Sequence, residues 1–225
     1  MRIKAGVDND GNLIAWDAAR AGADISPDTF RSLLPALYSW MGDGMIEGVA
    51  NLSEWYFEKF ATDESSTEGL FEDYDHPNTR VTHMTVDHEL PMTFWRSVGH
   101  SYTAFAKESM IDEMAEAAGM DEVAFRLQNT QNTPRLNNVI RVASEHMAKM
   151  NPPEGHHLGF AAHHSFYTDV AEIAEVSVEN GKIRVHKVTC VLDCGLAVNP
   201  DVVRSQIEGG VIYGLTATLY GGLNL

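Results

Sequence analysis

Asn180-Gly181 stands between Val176-Ser177-Val178 and Ile183-Arg184-Val185, two stretches in which apolar side chains recur at every second position. A two-residue connection that needs positive φ, flanked by period-two alternation, commits this part of the chain to an antiparallel hairpin. Its second arm runs on through Val188-Thr189-Cys190-Val191-Leu192 to Asp193-Cys194-Gly195, where the glycine ends the strand and redirects the backbone. Asn199-Pro200-Asp201 then supplies a cap, a proline at the first helical position and an acid in the first turn, so a helix starts there and continues through Val203, Ile207, Val211 and Leu215. Asp10-Gly11 repeats the hairpin signal near the N-terminus, between Ile3-Ala5-Val7 and Leu13-Ile14-Ala15-Trp16.

Helices are predicted between the two ribbons. From Thr103 to Ala118, Phe105, Met110, Met114 and Ala117 or Ala118 form an apolar face with Glu108, Asp112, Glu113 and Glu116 opposite, and Gly119 closes the run. Asp121 caps a short helix containing Val123, Phe125 and Leu127. Leu136, Val139, Ile140, Ala143 and Met147 mark another, which Pro152-Pro153 stops. The expected class is α+β, with antiparallel β ribbons and packed helices.

Charge narrows the functions open to such a fold. The chain carries 16 basic and 32 acidic residues, net −16, so its surface is not built to neutralise phosphates and no nucleic-acid partner is expected. Residues 1–90 hold 17 acids and 6 bases, net −11. Within them the stretch 61–77, which contains Asp63-Glu64-Ser65-Ser66-Thr67-Glu68-Gly69 and Glu72-Asp73-Tyr74-Asp75-His76-Pro77, is expected to be a solvated acidic loop. No run of apolar residues is long enough for a transmembrane segment, and the N-terminus shows no twin-arginine signal, so the compartment is left open.

Few residues have the spacing of known chemistry. His156-His157 and His163-His164 are adjacent pairs that point to opposite faces of an extended chain, and no Cys or acid completes a ligand set, so no metal site is assigned. Cys190 and Cys194 share strand parity and read as buried packing. Gly-x-Ser-x-Gly and phosphate-loop patterns are absent, and Gly209-Gly210 and Gly214 lie within a helical pattern, where they suggest close helix packing or approach to something bound. Two segments are more specific. Phe94-Trp95-Arg96-Ser97-Val98-Gly99-His100-Ser101 sets a guanidinium among aromatic and small residues just before a helix, where backbone N–H groups and Arg suit an anion. The alternative is an Arg paired with a carboxylate, with Phe94 and Trp95 in the core. The second runs from Asp193 to Pro200 and on to Arg204, Gln206 and Gly209-Gly210, a strand-to-helix turn that could hold a ligand, although Gln206 alone reads as an exposed polar residue.

At these two segments the chain resembles the large, molybdenum-binding subunits of the xanthine dehydrogenase and aldehyde oxidase family, and within it the branch of the isoquinoline 1-oxidoreductase beta subunit. The similarity is carried by Trp95 to Ser101, Ala104-Phe105, Glu108-Ser109, Ile111-Asp112-Glu113, Ala117-Ala118-Gly119 and Phe125-Arg126. A second block runs from Val176 through Val185-His186-Lys187-Val188, Asp193-Cys194-Gly195, Asn199-Pro200-Asp201 and Gln206-Ile207-Glu208-Gly209-Gly210 to Gly214-Leu215. The similarity spans roughly residues 76–225, the first 75 agreeing only in their opening strand pair.

The resemblance implies a molybdopterin cofactor carrying molybdenum, in its cytosine dinucleotide form, with [2Fe-2S] clusters on a small iron–sulfur partner subunit. It implies hydroxylation of an N-heterocycle or aldehyde, a small-molecule substrate, with water as oxygen source. Trp95 and Arg96 would lie by the molybdenum and its pterin ligand, Val98 near the substrate, and Gln206 on the pterin, while the helix starting at Pro200 would present its amide-rich end to the cofactor. Residues 1–150 would hold the end of one molybdopterin-binding region and 151–225 the start of another. No catalytic residue is assigned: the family's Gly-Gln-Gly loop is missing, its glutamate base would lie beyond Leu225, and Glu208 reads as surface or structural. The chain is therefore expected to be a fragment, or one piece split from a longer subunit, inactive without the remainder of the molybdenum subunit. A truncated, non-catalytic binding or scaffold module of the same fold is the alternative.

Overall fold

The structure, a computed structural model, describes residues 1–86 and 93–222. Two compact units divide it, Met1–Pro134 and Arg135–Leu225. It is α+β in class.

In the first unit β1 (Arg2–Val7) pairs antiparallel with β2 (Leu13–Gly22), from Arg2↔Ala19 to Val7↔Leu13. Asp8 shapes the turn by accepting from the backbone N–H of Asp10 and Asn12, and Gly11 takes φ +79°. A third strand, β3 (Thr79–Thr85), adds to β2 in parallel, Trp16↔Thr79 through Gly22↔Thr85, a pairing no local turn signal could announce. The crossover between them holds a helical pair, α1 (Ser26–Leu37) and α2 (Asp43–Lys59). Arg31 bridges the pair, donating to Asp28, Glu47, Asn51 and Glu54.

The stretch 61–77 is a loop but not a solvated one. Asp63, Ser66, Thr67, Leu70, Asp73 and Tyr74 are buried. Asp63 accepts from the backbone N–H of Ile25 at 2.7 Å and of Ser26 at 3.0 Å, so a carboxylate distant in sequence serves as the missing cap of α1. Polarity here reflects hydrogen bonding to other segments, which composition cannot distinguish from hydration.

α3 (His100–Ala118) packs beside β1 and β2 and ends, as predicted, at Gly119 in the left-handed region, φ +65°. Its inner face differs from expectation. Phe105 is 78% exposed, whereas Lys107 and Glu108 are buried. Lys107 pairs with buried Asp73; Glu108 accepts from Tyr74 Oη at 2.9 Å and Arg126 Nε at 3.1 Å. Charge is tolerated inside because every ion has a partner. Leu13, Trp16, Ala18, Leu70, Tyr74, Ile111, Ala115 and Phe125 form the core around this network. α4 (Glu122–Gln128) carries Phe125 and Arg126 inward and is capped by Asp121 as expected, its carboxylate accepting from Val123 and Ala124 N–H.

The second unit begins within α5 (Pro134–Met147), whose Leu136, Val139, Ile140 and Ala143 are buried. A meander follows, β4 (His156–Ser165), β5 (Thr168–Glu179) and β6 (Lys182–Asp193), antiparallel throughout. Asn180 (φ +52°) and Gly181 (φ +75°) make the predicted hairpin turn. The β4–β5 turn places Phe166 (φ +47°) and Tyr167 (φ +64°) in the same left-handed region, with side chains 61% and 86% exposed.

α6 (Pro200–Tyr220) begins at its predicted cap and buries no residue. Around Gly209, Gly210 and Gly214 a Cβ would meet nothing within 4 Å, so the close packing expected there is not made among the described residues. A groove of about 760 Å³ lies between α6 and β6, lined on the helix side by Val203, Ile207, Val211 and Leu215. No helix among the described residues is long and apolar enough to cross a membrane.

Candidate functional site

The first candidate segment forms a tight turn leading into α3. Arg96 and Val98 take φ of +47° and +53°, while Ser97 between them and Gly99 after them do not. Such alternation of backbone hand turns successive N–H groups toward one side and builds a concave, anion-accepting surface. For a β-branched residue like Val98 the left-handed region is an outlier, and a residue held there costs about 1–3 kcal/mol. The turn therefore persists because its surroundings fix it.

Those surroundings come from below. A Cβ on Gly99 would meet the Ser65 carbonyl oxygen at 2.5 Å, so only glycine allows the turn to sit on the 61–77 loop. Tyr102 Oη donates to Ser66 O at 2.8 Å and Thr103 Oγ1 to Glu68 O at 2.6 Å. Ser101 Oγ donates to Trp95 O at 3.1 Å and lies 2.8 Å from Ser97 Oγ, tying the outer part of the turn to the helix. Deeper, Lys107 and Glu108 fasten the same helix to Asp73 and Arg126. The buried charges and the strained turn thus belong to one support, which the period of the helix did not reveal, because its partners Asp73 and Arg126 are distant in sequence.

Above this support the side chains reach solvent. Phe94, Trp95 and Arg96 are exposed, Trp95 by 56%, so the core role considered for the two aromatic residues is not what they have. Val98 is half-buried. No side chain caps α3, whose N-cap is Gly99; its first-turn amides are engaged by backbone, Ser101 N–H donating to Val98 O and Tyr102 and Thr103 N–H to Gly99 O. Nearby, Glu68 Oε2 accepts no hydrogen bond among the described residues and stands 3.8 Å from His100 Nε2. Burial, and then the acids Glu72, Asp63 and Glu64, raise its pKa above the usual carboxylate value.

The second candidate segment lies in the other unit. Arg135 grips Asp193 with two prongs, Nε to Oδ2 at 3.1 Å and Nη2 to Oδ1 at 2.9 Å. Gly195 N–H donates to Asp193 Oδ1 at 2.8 Å. These bonds, Arg135 foremost, hold the Asp193 carboxyl down at a pKa of about 2. Gln206 is exposed on α6, as is Glu208. The amide-rich end expected at Pro200 is closed: Asp201 and Val202 N–H donate to Asn199 Oδ1, and Val203 N–H to Asn199 O. With proline adding no donor, no first-turn amide there is left for an anion. Trp95, Arg96 and Val98 thus share one turn, and Gln206 belongs to a separate unit.

Other sequence candidates have local roles. His156 Nδ1 lies 2.6 Å from Glu175 Oε1, and its ring stacks on His186 at 3.9 Å. His164 Nδ1 lies 2.9 Å from Asp169 Oδ1. Cys190 is on β6, but Cys194 falls just beyond it, and both are half-buried rather than packed away. Burial, with Glu172 at 3.4 Å, pushes the Cys190 thiol up to about 12.

The chain is similar in sequence to known proteins. A family model for the molybdopterin cofactor-binding domain covers residues 93–224, and a second of the same description covers 54–130. The chain is 30% identical over 178 residues to the beta subunit of the isoquinoline 1-oxidoreductase of Brevundimonas diminuta, across 76% of this chain and 23% of that protein. It is 29% identical over 240 residues to a nicotinate dehydrogenase subunit of Pseudomonas putida, across 97% of this chain and 18% of the relative. Among solved structures, the aldehyde oxidoreductase of Desulfovibrio gigas superposes with a TM-score of 0.43 at 18% identity, covering 82% of this chain and 20% of that one. The chain spans less than a quarter of the length of these relatives. The extent of the family match, from the Trp95–Arg96 turn to the far end of α6, makes this chain a member of the molybdopterin cofactor-binding domain family found in xanthine oxidase-type molybdenum-binding subunits.

Proposed function

We propose that the chain is the cofactor-binding portion of a molybdenum hydroxylase that oxidises an N-heterocycle or an aldehyde, takes the new oxygen from water and delivers electrons to [2Fe-2S] clusters on a small partner subunit. The observation that carries the reading is the turn at Arg96–Gly99: two non-glycine residues held with positive φ over a buried ionic support.

The donor set there fits the cofactor. Arg96 is a permanent cation whose planar guanidinium suits a phosphate or the keto edge of a pterin, and it is exposed. The closed start of α6 does not fit an anion, so in this proposal the contribution of that helix is the Gln206 amide, which both donates and accepts. When bound, the cofactor supplies the metal that oxidises and the oxygen that is transferred. Trp95 would border the cofactor and help to keep water from it. Val98 forms a short apolar wall beside the substrate position. The second candidate segment, with its loop 194–199, is assigned to the cofactor as well, in its cytosine dinucleotide form. In this proposal the chain works with the remainder of a molybdenum subunit, and Glu208 is given no catalytic role.

The full chain purified with its partner should contain molybdenum and releasable pterin, and Arg96→Ala should lower pterin retention by about tenfold or more, the loss of a charge-assisted pair. Absence of both metal and pterin from the purified complex would overturn the proposal.

A further inference from the structure

The loop 194–199 is not held by packing. Leu196 and Val198 are 89% and 88% exposed, and Cys194, Gly195 and Ala197 line an open pocket of about 490 Å³ together with Val139 and Val142 of α5. Its conformation is set by its two ends. At the exit Asn199 caps α6. At the entry everything converges on one guanidinium. Arg135 holds the Asp193 carboxylate from both oxygens, and its Nη2 also donates to the backbone carbonyls of Asp193 at 3.0 Å and Tyr167 at 3.2 Å.

Strand register explains why a cation is needed. Asp169 and Asp193 face each other across the last rung of β5 and β6. Two carboxylates opposite one another repel, and Asp169 is buried, with His164 on one oxygen. Its other oxygen makes no hydrogen bond among the described residues and lies 3.5 Å from Arg135 Nε. One arginine therefore spans both acids, the strained β4–β5 turn and the root of the loop.

We infer that Arg135 is a positioning residue that fixes the 194–199 loop in the conformation it presents to the cofactor. The inference rests on the cofactor reading given above. A lysine would still offset the two acids but lacks the planar fork, so it cannot hold both Asp193 oxygens and the Tyr167 carbonyl at once.

The test uses the full chain as wild type, Arg135→Ala and Arg135→Lys, with amide hydrogen exchange of the cofactor-free protein, thermal unfolding and pterin content. Both variants should exchange residues 194–199 about tenfold faster, the loss of one charge-assisted bond, while residues 156–165 stay near wild type. Arg135→Lys should keep the wild-type unfolding midpoint, and both should lose pterin. Wild-type loop protection in Arg135→Lys would overturn the inference, leaving Arg135 a charge balancer. Faster exchange throughout β4–β6 would overturn it too, as general destabilisation. A loosened loop with undiminished pterin would leave the clamp standing and overturn the cofactor reading of the loop.

Discussion

Gly99 lies so close to Ser65 that a side-chain carbon on the glycine would stand 2.5 Å from the serine carbonyl oxygen. The atom in the way is backbone, with the Glu68 backbone nitrogen at 3.4 Å beside it, so neither neighbour can swing aside. Gly99→Ala should therefore lift the Trp95–Val98 turn off its support and cost about 1–3 kcal/mol, read from urea unfolding, with loss of pterin retention in the same preparation. Unchanged stability and retention would show that the contact does not govern the turn.

Removing the Glu108 carboxylate leaves Arg126, which is wholly buried, leaning on half-exposed Asp112, and takes the acceptor from Tyr74. Glu108→Ala is expected to destabilise the first unit by about 3–5 kcal/mol, and Glu108→Gln by less, since the amide oxygen still accepts from Tyr74. Chemical denaturation followed by near-UV circular dichroism would measure both.

The Asp193 carboxyl titrates near 2 when folded against an ordinary 3.8, because Arg135 and the Gly195 N–H hold it charged. A folded-state pKa below the unfolded one means that the stabilisation is complete above about pH 4 and fades as pH falls through about 2. Hydrogen exchange in the 194–199 loop should be independent of this group from pH 7 to 4 and accelerate below it, beyond the intrinsic rate change. Asp193→Asn should abolish that acid step; persistence of the step would assign it elsewhere.

Cys190 should resist alkylation in the folded protein at pH 8 to 9, its thiol being raised to about 12 by burial and by Glu172. Iodoacetamide labelling with peptide mass analysis should find Cys190 modified only after denaturation. Rapid native labelling at Cys190 would contradict the half-buried strand position.

Asp63→Ala should free the buried Ile25 N–H and the Ser26 N–H together, costing about 1–2 kcal/mol and raising exchange in α1 before α2. Equal protection in variant and wild type would refute the capping role.

Elements whose boundaries are written in a few adjacent residues were legible: the Asn180-Gly181 turn, the Asp121 and Asn199 caps, the Gly119 stop. Each is decided by conformational or hydrogen-bonding needs inside one turn. Elements decided by distant partners were not. The parallel addition of β3, Asp63 as the cap of α1 and the burial of Lys107 and Glu108 all depend on contacts between residues more than thirty positions apart. At the candidate site, the residue types of Trp95 to Gly99 indicated a turn feeding a helix, but the left-handed φ of Arg96 and Val98 was not legible, because neither residue favours it. The anion-binding end expected for α6 failed for a local reason: the asparagine that starts the helix also uses up its free amides.

The ionic interior beneath α3 also limits how this part of the molecule can change over generations. An apolar contact tolerates drift by one methyl at a time, whereas replacing Lys107 or Asp73 alone strands an ion away from water. Viable routes to a greasier interior must exchange both members together, and Glu108, Arg126 and Tyr74 must move as a trio, so neighbouring sequences should differ here in blocks rather than at single letters.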